Sequence, residues 1–282
     1  MLINCKISGF SDEIGSNVDR QLALLKNLGT GYVEFRSGDG KNISDYTLEE
    51  VLVLKKRLDE AVIAVSAVAS SIGKIGIEEN FEPHFEKFKH MVKVAGLLNS
   101  PYIRVFSFYL PEKSNPAQFR EKVMERMKAL VDYAAEKNVV LLHENEKGIY
   151  GENAVFCYDL FKTISSEYFR CTFDFANFVQ SGQDTLEAYE ILEPYITYIH
   201  VKDALWDDGK IVLAGKGDGH IEEILKRLDK RSFTGFLSLE PHVAGLEAPK
   251  SLQYEGDETT EQIRREYAWR AAHRSLIELL AT

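Results

Sequence analysis

Cysteine is scarce in this chain, and the little there is forms no pattern. Cys5, Cys157 and Cys171 are three, widely spaced and without a CxxC pair, so neither a disulfide framework nor a cysteine zinc site is indicated. They read as small apolar core residues in a reducing compartment. No apolar run approaches the ~18 residues of a membrane span, so no membrane partner is expected. The N-terminal stretch "MLINCKISGFSDEIG" reaches an acidic pair before any signal-like segment develops, and a soluble cytoplasmic protein is the expectation. Positive charge is in deficit, with 34 Lys and Arg against 44 Asp and Glu and a formal net charge of −10. Such a surface repels phosphate backbones, which argues against nucleic acid as a partner. No GxGxxG follows the first apolar run and no P-loop pattern occurs, so no nucleotide cofactor is expected. No linker rich in Pro, Gly or Ser divides the 282 residues, which read as one domain over 1–282.

What is present is alternation. Short β-rich runs at 5–9, 32–35, 63–69, 102–108, 139–144, 171–175, 198–201 and 236–240 are separated by helix-periodic stretches. The helical stretches run from 18 to a Gly29 cap, from a Thr47–Glu50 capping box, and around 81–98, 116–137, 153–164, 185–193, 220–230 and 259–280. Several strands are continuously apolar, as strands covered on both faces should be. Eight such β/α steps predict a (β/α)₈ TIM barrel, with a doubly wound open sheet as the competitor. Two stretches follow late strands and would overhang the C-terminal mouth. One is 204–219, where Asp208-Gly209 between two apolar runs signals a hairpin; the other is the long connection 242–258 before the last helix.

The stretch "LLHENEKGIYGEN" (141–153) poses the functional question, because a buried strand should not end in an ionisable cluster without a reason. Each of the last four strands does so: Glu144 in "VVLLHEN", Asp174 in "CTFDFAN", His200 in "ITYIHVKD" and Glu240 in "GFLSLEP". They are separated by 30, 26 and 40 positions, single β/α steps with the last lengthened by the 204–219 insertion. Side chains sharing the inward face at one height on neighbouring strands converge. Three carboxylates in a low-dielectric mouth would repel one another. A divalent cation relieves that repulsion, leaving a residual charge of about −1 with a neutral imidazole. Three oxygen donors and one nitrogen suit Mn²⁺ or Mg²⁺ best, with Co²⁺ or Zn²⁺ also compatible. Any one of the four residues alone reads more readily as a helix cap, a salt-bridge partner or a hydrogen-bonded core residue. The set at barrel spacing does not.

At "HEN" (143–145), "FDFAN" (173–177), "IHVKD" (199–203), "GKGDGHIEEIL" (215–225) and "GFLSLEP" (235–241) the chain resembles the sugar phosphate isomerase/epimerase family, the xylose-isomerase-like barrels. The resemblance covers nearly the whole chain in element order. It implies a metal held by Glu144, Asp174, His200 and Glu240, and in the epimerase and ketose-isomerase members the two glutamates exchange the substrate proton. The implied function is a divalent-metal-dependent isomerase or epimerase. It would act on a sugar or sugar-like polyol ketone, a small sugar or cyclitol, by proton transfer through an enediolate. Glu144 and Glu240 then serve as catalytic residues as well as ligands. One position departs from the pattern: where many relatives carry Asp-x-x-His, this chain has Asn177. Asparagine can hydrogen-bond a hydroxyl but cannot shuttle a proton at neutral pH.

Further substrate contacts are expected from Lys202, two residues past His200 on the same strand face, and from His220 in "GDGH", which also reads as a helix start. Glu34 and Arg36 near the second strand and Arg104 within the fourth read as sugar contacts or barrel ion pairs. His143 should point away from Glu144 by strand alternation, while His242, two residues past Glu240, falls near the pocket. Three other readings stay open. An inosose-type dehydratase would use the same metal site and expel a β-hydroxyl. An abasic-site endonuclease would need more strand-end histidines than the seven in the chain supply, and a basic groove. A non-catalytic sugar-binding barrel would leave costly carboxylates idle. A homo-oligomer would form through the 242–258 loop or the last helix, "YAWRAAHRSLIELL", which itself is expected to pack on its own barrel.

Overall fold

The computed structural model describes residues 4–242 and 258–281. Among them, eight parallel strands follow the expected order: β1 (Lys6–Gly9), β2 (Tyr32–Phe35), β3 (Ala64–Ile72), β4 (Tyr102–Val105), β5 (Val140–Glu144), β6 (Phe169–Asp174), β7 (Ile196–Val201) and β8 (Phe236–Leu239). Neighbours in sequence are neighbours in the sheet from β2 to β8, and β8 returns to β1 in the register Lys6↔Phe236 to Gly9↔Leu239. Between β1 and β2 the ladder shrinks to one parallel bridge, Phe10 to Glu34. The result is a nearly closed (β/α)₈ TIM barrel, with the seam at β1 and β2.

The helices among the described residues are α1 (Val18–Asn27), α2 (Leu48–Ala61), α3 (Phe81–Leu98), α4 (Arg120–Glu136), α5 (Ala154–Ile164), α6 (Phe175–Gln180), α7 (Thr185–Leu192), α8 (Ile221–Lys230) and α9 (Glu258–Ala281). Side-chain caps start most of them: Asn17, Asn80, Asn153 and Asp184 each accept a first-turn N–H, and Thr47 forms the expected capping box with Glu50. Helix α6 was not expected. The Asp174 side chain accepts a hydrogen bond from Asn177 N at 2.8 Å, so the chain turns into a helix where the apolar run suggested more strand. Helix α9 packs on its own barrel, with Trp269 Nε1 donating to Phe10 O and Arg265 to the carbonyls of Asp12 and Glu13.

Strand alternation sorts every barrel strand into two faces. On β7, Ile199 and Val201 pack outward against the helices, while Tyr198 and His200 point inward; on β5, Leu141 and His143 face out, Leu142 and Glu144 in. The interior is layered accordingly. Tyr198, Phe236, Ala67 and Leu142, with Tyr32 and Tyr102 against them, make an apolar floor. Above it Ser8, Ser66 and Ser238 are fully buried, and Ser66 Oγ bonds both Ser8 Oγ (2.6 Å) and Tyr198 OH (2.8 Å). Ionisable residues occupy the mouth.

The expected hairpin is present, Asp203–Ala204 pairing antiparallel with Ile211–Val212 and Gly209 turning at φ +69°. Asp203 fastens the chain beyond it. Its Oδ1 accepts from Ala204 N and Gly219 N at 3.0 Å, and its Oδ2 from Gly215 N and Gly217 N at 2.9 Å. Of the connection expected at 242–258, residues 243–257 lie outside the described residues.

Candidate metal centre

His200 organises the mouth. On β7 it stands in register with Asp174 of β6 on one side and with Ser238 of β8 on the other. Glu240, two residues past Ser238 and so on the same face, projects just above the end of β8. His200 Nδ1 lies 3.0 Å from Glu144 Oε1, 3.6 Å from Glu240 Oε2 and 3.7 Å from Asp174 Oδ2. One ligand atom from each of the four residues falls within 4.8 Å of all the others, and all four residues are buried. This is the convergence expected from the strand ends. The donor set fits a doubly charged ion: three carboxylates and an imidazole are buried together, and Asp174 Oδ2 and Glu144 Oε2 make no hydrogen bond beyond their ion pairs with Lys202 and Arg104.

The surrounding charges balance the carboxylates. Lys202 Nζ sits 2.9 Å from both Asp174 Oδ2 and Glu240 Oε2, and Arg104 lies 3.1 Å from Glu144 Oε2. The Arg104 guanidinium is clasped between the rings of Phe10 and Phe106, 5.1 Å from each centroid. Burial alone would raise the Glu144 carboxyl, but His200 and Arg104 beside it hold it at about 2. Glu240 is likewise driven well below its usual value, burial being outweighed by Lys202 and His200. For Asp174 burial wins and its pKa is raised, Lys202 and His200 only partly offsetting it. Burial would lower His200, yet Glu34 and Glu144 carry it well above an ordinary imidazole.

A cavity of about 400 Å³ opens over this cluster and is lined by Arg36, Lys74, Arg104, Asn177, Lys202 and His242 among others, with Glu144, Glu146 and Glu240 at its acidic side. The expected contacts Lys202, Asn177 and Arg104 therefore reach the cavity. Asn177 donates from Nδ2 to Glu144 Oε1 at 3.2 Å and to Asn145 O at 2.9 Å, so its amide steadies the Glu144 carboxylate. Arg36 joins them, 3.5 Å from Glu240 and held by Asp12 at 2.7 Å.

Two residues admit alternative readings, and the geometry favours one of each. Glu34 takes the barrel ion-pair reading: it is fully buried, with Oε2 3.1 Å from His200 Nε2, and does not line the cavity. His220 takes the helix-start reading. It opens α8 at φ 51°, its Nδ1 is 3.1 Å from Thr185 Oγ1, and it borders a separate surface cavity with Gly215 and Gly217. His143, set aside as a ligand, faces outward to Ser107 Oγ at 2.9 Å.

Residues the sequence reading passed over also build the site. Asn145 Nδ2 donates to Asp174 O and its Oδ1 accepts from Asp174 N, both at 3.0 Å, which locks the ends of β5 and β6 together. Its place directly after Glu144 was the available signal. Lys74 and Glu146 close the cavity rim with a 2.6 Å ion pair between loops distant in sequence, and no local pattern marks Lys74.

Comparison with known proteins agrees with the fold. The family model described as xylose isomerase-like TIM barrel matches residues 22–275. Among curated proteins, a 3-dehydroshikimate dehydratase from Bacillus anthracis is 21% identical over 129 residues, 46% of each chain, so the match spans about half the length of that relative. A solved structure described as the IOLI protein with a binding zinc atom superposes with a TM-score of 0.76 at 16% identity, covering 98% of both chains. The 3-keto-D-glucoside 4-epimerase YcjR from E. coli gives 0.72 at 13% identity, covering 99% of this chain and 100% of that one. At these identities the two structures demonstrate a common fold.

Proposed function

This chain belongs to the xylose isomerase-like TIM-barrel family, and from that premise we propose that it is a divalent-metal-dependent isomerase or epimerase of a small sugar or cyclitol ketone. The observation that carries the reading is the meeting of one ligand atom each from Glu144, Asp174, His200 and Glu240 within 4.8 Å of one another, with Glu144 and Glu240 also lining a 400 Å³ cavity. These four residues would hold the ion, Mn²⁺ or Mg²⁺ by donor chemistry, with Zn²⁺ supported by the zinc named for the IOLI protein. When bound, the ion supplies Lewis acidity that polarises a substrate carbonyl and acidifies the neighbouring C–H.

The protein's own groups do the rest. Glu144 and Glu240 rise from β5 and from the end of β8, on opposite sides of β6 and β7, so they flank a substrate in the cavity. Both are held ionised at neutral pH. One carboxylate takes the proton from the carbon next to the carbonyl, giving the enediolate form of the substrate. The other, after taking up a proton from water in the cavity, delivers it to the opposite face for epimerisation, or the first passes its own proton to the neighbouring carbon for isomerisation. Arg104 and Lys202 offer donors to substrate oxygens, and Asn177 fixes a hydroxyl without competing as a base.

Dehydration is the second reading, favoured by the curated relative being a dehydratase; there the same proton abstraction is followed by loss of a β-hydroxyl. The deciding experiment offers ketoses, inososes and their phosphates to the Mn²⁺-loaded protein in deuterated water. Deuterium at carbon without loss of water supports isomerase or epimerase chemistry. A conjugated chromophore supports dehydration. No exchange with any substrate, and none lost in Glu144→Gln, would sink both.

A further inference from the structure

We propose that Glu34 is a positioning residue that fixes which nitrogen of His200 faces the metal; the inference rests on the metal reading above and adds a part to it. Glu34 lies on the side of the imidazole opposite the three carboxylate ligands. Its Oε2 and Oε1 are 3.1 and 3.3 Å from His200 Nε2. Both oxygens of Glu34 face Nε2, and a carboxylate oxygen accepts, so Nε2 is the nitrogen that Glu34 engages as donor. That turns Nδ1 toward Glu144, Asp174 and Glu240, where it would join them in holding the ion once any hydrogen on it is displaced. The imidazole cannot swing away, because Phe10 and Tyr198 meet it edge-on, at 5.2 and 5.8 Å between centroids.

Glu34 is itself held. Ser238 Oγ donates to Glu34 Oε2 at 2.6 Å, and Ser238 is the strand neighbour of His200 in the β7–β8 register. The carboxylate reaches this place through the barrel seam, where Phe10 and Glu34 make the bridge between the first two strands. The same residue thus closes the seam through its backbone and stands behind His200 through its side chain. A ligand histidine braced from behind by a carboxylate gains basicity and a fixed tautomer, and loss of such a partner typically lowers metal affinity 10- to 100-fold.

Glu34→Gln is the discriminating variant. Its amide keeps the shape, but if the amide oxygen accepts from Ser238, the NH₂ faces Nε2 and calls for an acceptor there, which moves the hydrogen to Nδ1. The measurement is Zn²⁺ affinity by calorimetry, together with the ¹⁵N shifts of the ring-labelled histidines in the Zn²⁺-loaded protein. We expect Glu34→Gln to fold and to bind Zn²⁺ 10- to 100-fold more weakly. Glu34→Asp, which keeps the charge, should recover part of the loss, and the parent should show metal at Nδ1 and hydrogen at Nε2. Zn²⁺ affinity within twofold of the parent in folded Glu34→Gln, or metal at Nε2 in the parent, overturns the proposal. Should Glu34→Gln fail to fold, Ser238→Ala replaces it, with a several-fold loss expected and an unchanged affinity overturning. A parent that takes up no Zn²⁺ would fail the metal reading itself, a result distinct from a parent that binds and a variant that binds equally.

Discussion

Lys202 Nζ lies 2.9 Å from Glu240 Oε2, within a pocket where both groups are almost wholly buried. The same ammonium is 2.9 Å from Asp174, so Lys202 supplies positive charge to two of the oxygens that would hold an ion. Removing one member of a buried ion pair costs about 3–5 kcal/mol. Lys202→Met should therefore lower the melting temperature of the metal-free protein by on the order of 10 °C. Added Mn²⁺ should raise the melting temperature of the variant more than that of the parent, because the ion replaces the lost charge. Thermal unfolding with and without Mn²⁺ tests this. Equal melting of parent and variant without metal would mean that Lys202 is not the counter-charge.

The quartet was legible because a strand has period two and a barrel has a repeat of one β/α step. Once Glu144, Asp174, His200 and Glu240 end consecutive apolar runs, their convergence follows. Glu34 could not be decided between sugar contact and barrel ion pair because it too sits on an inward face. Its height was hidden: β2 enters the layer below His200, and only the register through Ser238 reveals it. For His220 the helix-start reading holds, because its loop bends back onto Asp203 and residue 220 begins α8 beside Thr185. Lys74 was invisible because its pairing with Glu146, a member of the ionisable cluster after β5, is made by tertiary closeness alone.

Asp203 is predicted to hold the rim in place. Four backbone N–H groups, of Ala204, Gly215, Gly217 and Gly219, all donate to its two oxygens. In Asp203→Asn one acceptor becomes an NH₂ facing other donors. An unsatisfied buried donor costs about 1–3 kcal/mol. The expected result is a stability loss of that size in urea, with faster amide hydrogen exchange at 215–219. Unchanged exchange there would contradict the anchoring role.

Two glycines should respond differently to a methyl group, although both have positive φ. A Cβ on Gly73 (φ +91°) would come within 1.9 Å of Phe106 O, whereas one on Gly29 (φ +70°) meets nothing within 4 Å. Gly29→Ala should cost only the left-handed strain, about 1–2 kcal/mol. Gly73→Ala adds an overpacking penalty of about 1–3 kcal/mol. It should also disturb the cavity, since Ser71 and Lys74 on either side line it. Chemical denaturation of the two variants side by side checks the difference; equal losses would show that the loop relaxes freely around Phe106.

The outward histidine of β5 predicts how stability depends on pH. His143 is fully buried against Phe161 and Phe169, and its Nδ1 has no partner. Burial lowers its pKa from 6.5 to about 3, the Glu144 charge restoring only a little. Between those values the unfolded chain binds a proton that the folded chain refuses. Stability is therefore full above about pH 6.5 and falls as the pH drops toward 3, by up to about 1.4 kcal/mol per pH unit from this one group. His84, which accepts from Gly73 N at 2.7 Å and is lowered to about 4 by burial, adds a second such slope in parent and variant alike. In His143→Leu, Ser107 Oγ still accepts from Gly151 N, so the local turn survives. Urea unfolding between pH 7 and pH 4.5 should give the variant a slope shallower than the parent's by nearly one proton. Parallel slopes would mean that the folded protein takes up a proton at His143 as readily as the unfolded chain does.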